Sequence, residues 1–311
     1  MATKIKYALP KGRLLEHYRI DKTLGGGGFS VVYLATDLEN SEQVVIKEYL
    51  PGAIASRNRD DSVHCLAEEH RRHFTIGFKR FLEEASALAT LKHPNIVRVH
   101  NFFRANNTVY MVMDYEYGKD LRHFIKQYNG RLSEKFIRTV FPELLKGLDE
   151  LHRNNLLHLD IKPANIFLRP GGKPLLLDFG AARDALDPSN AGPHTLTKGF
   201  APIEQHQHKS VGPWSDLYAL GASMYACMAG KAPPPATDRI VKDKLKPAAI
   251  TSFGRNYSAQ LLDAVDWCLQ LHHADRPQTA WQLLEFLNEQ DYTGPAAASP
   301  WYKKALGLLV K

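Results

Sequence analysis

The hydrophobic pattern of this 311-residue chain changes once along its length, from strand-like to helix-like. Short β-prone runs such as Val44–Lys47 and Val109–Asp114 fill the first part, with turn residues between them. From Leu121 onward, apolar residues recur every three or four positions, which is typical of amphipathic helices. The pattern predicts an α+β protein with a small strand-rich lobe, containing one main helix and ending near Met113, and a larger helical lobe. Ligands often bind at such a boundary.

The composition is that of a folded protein. Hydrophobic residues make up 44% of the chain and charged residues 23%, which excludes wholesale disorder. The formal charge is +7, but acidic residues are interleaved with the basic ones, and no nucleic-acid-binding motif accompanies them. We therefore expect no nucleic-acid partner.

Cysteine usage and the apolar stretches indicate a cytoplasmic location. Cys65, Cys227 and Cys268 are far apart, so they predict neither a disulfide framework nor a zinc site. Met1–Pro10 lacks the apolar core of a signal peptide. The most apolar stretch, Leu217–Ala229, is short and contains polar side chains, so it predicts a buried helix rather than a membrane span.

Four consecutive glycines, Gly25–Gly28, lie between two β-prone runs and predict the tip of a hairpin. Backbone amides without neighbouring Cβ atoms can approach phosphate oxygens closely. Taken alone, a plain turn is the more common interpretation. No Gly-Lys-Ser/Thr sequence and no helix follow the glycines, so neither a P-loop nor a dinucleotide-binding fold is favoured.

The strand Val44–Lys47 ends in a lysine that, taken alone, could simply extend into water. Apolar spacing predicts a helix at Phe78–Leu91, in which Glu83 and Glu84 are the candidates to pair with Lys47. Glu84 is favoured because it lies beside the apolar stripe of that helix.

A long segment, Tyr49–Gly77, separates this lysine from the predicted helix. Its residues Ser62–Phe74 could add a short helix. We favour an irregular surface loop over an accessory element that covers a site.

The chemistry is predicted to reside in His158–Asn165 of the helical lobe. Asp160 can accept a proton from an attacking hydroxyl, and Lys162 can neutralise charge on a phosphoryl group. The amide oxygen of Asn165 can bind a divalent cation, and Asp178 offers a second ligand after an apolar run. Phosphoryl transfer requires little more than such a base, a cation and metal ligands.

Two further groups complete the pattern. Backbone groups at Asp114–Glu116 could pair with an adenine edge, with Met113 forming the wall of the pocket behind it. In the helical lobe, Ser133 is a predicted cap for a long core helix, and Arg276 is a suitable partner for Glu204.

The order of these motifs resembles that of a eukaryotic-type serine/threonine protein kinase of the bacterial kind, over about Tyr18–Leu287. The resemblance implies a two-lobed fold that binds ATP and Mg²⁺ in the interlobe cleft. It implies catalytic roles for Asp160, Lys162 and Asn165, and metal binding by Asn165 and Asp178. The nucleotide-binding residues that it implies are Gly25, Gly27, Ser30, Val32, Lys47, Glu84, Met113, Asp114 and Glu116.

The resemblance also implies structural roles in the helical lobe. Glu204 and Arg276 match the family's buried ion pair, and Asp216 matches an acid that binds the backbone of the catalytic loop. One departure concerns Leu159, since the family usually has an arginine there that binds a phosphorylated activation loop. We therefore expect activity that needs no phosphate on this loop, whose candidate acceptors are Thr195 and Thr197.

The domain organisation follows from these boundaries. We expect a leader at 1–17, a kinase domain at 18–290 with lobes at about 18–114 and 118–290, and a linker and tail at 291–311. The tail Trp301–Lys311 is basic and amphipathic. It could contact a membrane or a partner, although packing on its own domain is favoured.

The expected function is that of an ATP-dependent, non-specific serine/threonine protein kinase that phosphorylates proteins, itself included. Two alternatives stay open at this point. One is a pseudokinase that binds nucleotide or acts as a scaffold, and the other is a small-molecule kinase of related fold. A complete set of catalytic residues disfavours the first, and the segment ending in Glu204 disfavours the second.

Overall fold

The computed structural model describes residues 7–178, 183–184, 196–207 and 209–292. The expectations for Thr195 and for the tail Trp301–Lys311 lie outside these ranges. The chain forms two compact units, the first extending to His93 and including Val97–Glu116, the second including Pro94–Ile96 and the chain from Tyr117 onward. The first is rich in strands and the second in helices, which confirms the predicted α+β class.

The first unit contains an antiparallel sheet of six strands in the order β1-β2-β3-β4-β8-β7. A short hairpin and one long helix accompany the sheet. In chain order the elements are β1 (Leu14–Leu15), β2 (Tyr18–Gly26), β3 (Ser30–Asp37), β4 (Gln43–Tyr49), β5 (Ala55–Arg57), β6 (Val63–Cys65), α1 (Arg71–Thr90), β7 (Val99–Ala105) and β8 (Thr108–Asp114).

The second unit has a helical core with short strands. In chain order its elements are β9 (Lys119–Asp120), α2 (Leu121–Gln127), α3 (Glu134–Arg153), β10 (Leu156–Leu157), β11 (Ile166–Leu168), β12 (Pro174–Leu176), β13 (Arg183–Asp184), α4 (Ile203–His206), α5 (Pro213–Ala229), α6 (Ala236–Val241), α7 (Ala259–Cys268) and α8 (Ala280–Asn288). Ser133 caps α3 by accepting a hydrogen bond from the backbone N–H of Phe136, as predicted.

Helix α5 is buried along almost its whole length, from Ser215 to Met228. It packs closely on α7, since a Cβ atom at Gly221 would lie only 2.3 Å from the Cβ of Cys268. The prediction of a buried helix is confirmed. Among the described residues, no helix combines the length and the apolar character that crossing a membrane requires.

The two faces of the first unit's sheet have different roles. Residues directly opposite one another on neighbouring strands share a face, and Gly25, Val32 and Lys47 form one such row. The next residue of β4, Glu48, therefore points to the other face, where Tyr33 and Tyr110 belong to a hydrophobic core. The candidate site and the core thus occupy opposite faces of one sheet.

The segment between Lys47 and α1 was predicted wrongly in part. Instead of an irregular loop, it contains the hairpin β5–β6. Of the residues expected to add a short helix, Val63–Cys65 form β6, whereas Glu68–His70 form a 3₁₀ turn and Arg71–Phe74 are the first residues of α1. Helix α1 begins at Arg71 rather than Phe78. Its first residues are exposed, so they leave no apolar periodicity in the sequence.

The hairpin is attached to the sheet through the buried carboxylate of Glu48. This carboxylate accepts hydrogen bonds from the hydroxyls of Tyr33 at 2.6 Å and Tyr110 at 2.7 Å. The Arg57 guanidinium, from β5, donates to both carboxylate oxygens at 2.5 and 2.6 Å. Burial, followed by the charge of Glu48, raises the pKa of Tyr33 and Tyr110 far above the ordinary value, so both hydroxyls remain donors.

The residues before β1 contact the same cluster. The Arg57 side chain also donates to the backbone carbonyls of Tyr7 and Asp61, at 2.8 and 2.7 Å. The N–H of Leu9 donates to the Tyr33 hydroxyl at 3.1 Å. The hairpin and the chain from Tyr7 therefore cover the core face of the sheet together.

Replacing Arg57 by methionine should lower the free energy of unfolding by about 3 kcal/mol, because the Glu48 carboxylate stays buried after losing its cation. Arg13→Met is the matched control, because Arg13 pairs with Asp61 at 2.6 Å but its side chain is 46% exposed. The control should cost at most about 1 kcal/mol. Urea unfolding of the two variants measures both values, and equal costs would contradict this role of Arg57.

Candidate active site

The predicted catalytic loop, His158–Asn165, is fixed by the carboxylate of Asp216, which projects from the first turn of α5 and is fully buried. Its oxygens accept the backbone N–H of His158 at 2.9 Å and of Leu159 at 2.7 Å. The ring of His152, at the end of α3, lies 2.9 Å away. Burial acts to raise the pKa of Asp216, but these partners outweigh it and lower the pKa. The carboxylate therefore stays ionised.

Leu159 has an unusual backbone conformation for a leucine, with φ of +58°. Side chains other than glycine adopt this region at an energetic cost, so the surrounding contacts must stabilise it. Its N–H donates to Asp216, and its carbonyl accepts a hydrogen bond from the side-chain amide of Gln205 at 2.9 Å. Both the N–H and the carbonyl of Leu159, the residue before Asp160, are therefore hydrogen-bonded to side chains.

Asp160 lies within a group of polar side chains. The Lys162 ammonium donates to both of its carboxylate oxygens, at 2.9 and 2.7 Å, and the amide of Asn165 donates to one of them at 3.0 Å. The hydroxyl of Thr197 contacts both Lys162, at 3.1 Å, and Asp160, at 3.3 Å. The carboxylate is partly exposed, so an incoming hydroxyl can reach it.

The two predicted metal ligands are brought together by backbone pairing. The N–H of Leu177 donates to the carbonyl of Asn165 at 2.9 Å, and the His158 ring contacts the carbonyl of Leu177 at 3.1 Å. Asp178, the next residue, is exposed beside the loop. The nitrogen of the Asn165 amide is used by Asp160, so its oxygen is the atom suited to a cation. An amide oxygen with a carboxylate is a donor set that fits Mg²⁺.

The predicted pairing of Glu204 with Arg276 is present and buried. The guanidinium donates to the two carboxylate oxygens at 2.7 and 3.1 Å, and Ser215 donates to one of them at 2.8 Å. The Arg276 guanidinium also lies 4.8 Å from the ring centre of Tyr218. These contacts anchor α4 to α5 and to the turn before Arg276.

In the first unit, Lys47 pairs with Glu84, the favoured candidate. The Lys47 nitrogen lies 3.6 Å from a Glu84 carboxylate oxygen, and both side chains are more than nine-tenths buried. Glu83 is exposed. The Lys47 ammonium also lies 5.7 Å from the ring centre of Phe81, so α1 contacts the same face of the sheet as Gly25 and Val32.

In the segment predicted to pair with adenine, Asp114–Glu116, one backbone donor is already used within the first unit. The N–H of Asp114 donates to the carbonyl of Arg98 at 3.1 Å, and its carboxylate contacts the His100 ring. The Asp114 N–H is therefore not available to a base. Met113 is partly buried and lies opposite Val45.

Sequence reasoning did not assign two residues that contact the catalytic loop. His152 gave no signal beyond its position at the end of a predicted helix, and its bond to Asp216 depends on how α3 and α5 pack. Gln205 gave no signal of its contact with Leu159, which depends on how α4 packs. The contact of Thr197 with Asp160 was also not predicted.

Comparisons of the sequence and of the fold with known proteins all match protein kinases. A family model for the protein kinase domain matches residues 18–287. The serine/threonine-protein kinase PknA of Nostoc sp. is 31% identical over 287 residues, which cover 87% of this chain and 46% of PknA. PknB of Mycobacterium tuberculosis is 31% identical over 228 residues, which cover 71% of this chain and 33% of PknB. A solved structure described as PpkA-294 in its apo form has a TM-score of 0.81 and 35% identity, covering 91% of this chain and 100% of that chain.

The chain therefore belongs to the protein kinase domain family, and the curated relatives named above are serine/threonine kinases from bacteria. Protein kinases use ATP, a divalent metal ion and protein substrates. The chain spans less than half the length of these curated relatives.

Replacing Lys47 by alanine should lower the rate of phosphate transfer from ATP roughly 10²-fold, because a preorganised cation on the phosphates is lost. Lys79→Ala is the matched control, since Lys79 lies exposed on α1. Transfer from labelled ATP measures both variants, and full activity of Lys47→Ala would refute the role assigned to Lys47.

Proposed function

We propose that this chain transfers the γ-phosphate of ATP, with Mg²⁺, to serine and threonine hydroxyls of proteins, itself included. The environment of Asp160 supports this proposal most directly. Its carboxylate is partly exposed, contacts Lys162 and Asn165, and has the hydroxyl of Thr197 beside it. The catalytic domain is proposed to span 18–290, which agrees with the matched residues 18–287.

Four polar side chains in and after the loop have proposed roles in the transfer. Asp160 orients the acceptor hydroxyl and takes its proton, and Lys162 neutralises charge on the phosphoryl group as it moves. Asn165 and Asp178 would bind Mg²⁺ through oxygen atoms. The cation, when bound, neutralises charge on the phosphate oxygens. The protein contributes position and charge rather than covalent chemistry.

The nucleotide is proposed to bind the open face of the first unit's sheet. Gly25, Gly27 and Ser30 would lie beside the phosphates, with the N–H of Gly27 closing the turn by donating to the Ser30 carbonyl at 2.9 Å. Lys47, positioned by Glu84, would contact the phosphates. Val32 lies in the same row as Lys47 and would pack on the base. Met113, the Asp114 carbonyl and Glu116 would border the adenine. A cytoplasmic location is proposed on the absence of disulfides among the three cysteines.

Activity without a phosphate on the activation loop is also proposed. Leu159, where the family usually has a phosphate-binding arginine, is buried and carries no charge. Thr195→Ala should therefore keep activity within about twofold, since no cation at 159 would bind a phosphate there. Thr197→Ala is the comparison, and should be impaired because Thr197 contacts Asp160. Complete loss of activity in Thr195→Ala would contradict the proposal.

Replacing Asp160 by alanine should lower turnover roughly 10²- to 10⁴-fold and leave ATP affinity nearly unchanged, because the base acts in the transition state. Asp238→Ala is the control, since Asp238 is exposed on α6. The assay is incubation with labelled ATP and Mg²⁺, followed by mapping of the modified residues. Modified serine or threonine is expected, and an Asp160→Ala variant as active as the unaltered protein would overturn the assignment.

A further inference from the structure

The side chain of Gln205 connects the end of the activation segment to the catalytic loop. Gln205 lies in the short helix α4, and its amide nitrogen donates to the carbonyl oxygen of Leu159 at 2.9 Å. That carbonyl belongs to the same peptide group as the N–H of Asp160. A contact that fixes the Leu159 carbonyl therefore fixes the plane from which the Asp160 side chain departs.

The hydrogen bond from Gln205 stabilises a backbone conformation that is unfavourable for leucine. Leu159 has a φ of +58°, which a leucine adopts at a cost. Asp216 binds the N–H on one side of this residue at 2.7 Å, and Gln205 binds the carbonyl on the other. The N–H of Asp160 donates at 3.3 Å to the His158 ring, which is a long hydrogen bond. Gln205 thus binds the carbonyl of the peptide group that joins Leu159 to Asp160.

Gln205 is itself well anchored. Its neighbour Glu204 forms the buried ion pair with Arg276, and the carbonyl of Glu204 accepts the N–H of Lys209 at 2.9 Å. The Gln205 N–H donates to the carbonyl of Pro202 at 3.2 Å. Because these bonds fix the backbone of Gln205, the hydrogen bond of its side chain can transmit the position of α4 to Leu159.

We propose that Gln205 is a positioning residue for the catalytic aspartate, and that its hydrogen bond to Leu159 couples the segment end to Asp160 without a phosphate. This inference rests on the proposed function and deepens it. The buried leucine at 159 offers no charge to which a phosphate could bind, and Gln205 supplies a neutral contact to the same residue.

The first test is Gln205→Leu, which keeps the approximate size of the side chain but removes the donor. We expect kcat to fall about tenfold, the loss that corresponds to one hydrogen bond felt in the transition state, while KM for ATP stays within about twofold. Gln207→Leu is the matched control, because Gln207 ends the same helix and is exposed. Equal kcat values for the two variants would overturn the proposal.

The second test is Gln205→Glu, which turns the donor into a group that donates only when protonated. An ionised carboxylate facing the Leu159 carbonyl makes no hydrogen bond, whereas the protonated acid restores it. The ratio of kcat for the variant to kcat for the unaltered protein should therefore rise several-fold as the pH falls from about 8 to about 5.5.

Six ionisable groups or pairs lie near this contact: Asp160 and Lys162 in the loop, His158 beside the Asp160 N–H, Asp216 with its partner His152, His206 on α4, and the pair Glu204–Arg276. These groups are common to both proteins, so the ratio removes their own titration. A ratio that does not change with pH would contradict the proposal, even if Gln205→Leu fails to fold.

A third readout needs no activity. Amide hydrogen exchange in the peptide that contains Leu159 and Asp160 should be faster in Gln205→Leu than in the unaltered protein or in Gln207→Leu. Unchanged exchange would overturn the positioning role. An unaltered protein that transfers no phosphate, with faster exchange in Gln205→Leu, would instead contradict the proposed function and leave the coupling supported.

Discussion

The buried carboxylate of Asp216 is the interaction on which the second unit's site depends. One side chain binds two consecutive backbone N–H groups, of His158 and Leu159, and a leucine with positive φ is stabilised as a result. A buried charge is costly unless it is fully hydrogen-bonded, and here two amides and the ring of His152 meet that requirement. The geometry of Asp160 follows from this arrangement rather than from the loop's own preferences.

In the first unit, the corresponding constraint is a lysine side chain that is buried on one face of the sheet. Lys47 is almost fully buried and its charge is met by Glu84 from α1, so the position of the helix determines the position of the ammonium. The other face of the same strand buries Glu48 against Arg57 and two tyrosines. Two ion pairs, one on each face, therefore fix consecutive residues of β4.

The parts of this structure that follow local rules were predictable. The glycine turn, the strand before Lys47, the cap at Ser133 and the buried helix α5 all leave periodic or compositional signals. The pairings of Lys47 with Glu84 and of Glu204 with Arg276 were proposed from residue type, with Glu84 favoured by its place beside the apolar stripe of its helix, and the kinase motifs supported both.

What escaped prediction lacked such signals. The strands β5 and β6 have three residues each, too few to show alternation, and the first three residues of α1, Arg71–His73, are exposed. The bond from Gln205 to Leu159 joins residues whose separation depends on how α4 packs, and a glutamine at a helix surface is ordinarily a solvated side chain. Contacts of this kind emerge only from tertiary structure.

The buried Glu48 has a consequence for how sequences of this fold can diverge. Its carboxylate is tolerated in the core because Arg57 reaches it from the hairpin, so the acid depends on the hairpin. A chain that lost the hairpin by deletion would leave an unpaired negative charge buried against the sheet, one residue from Lys47. Loss of the insertion would therefore have to follow, or coincide with, replacement of the acid by a neutral side chain.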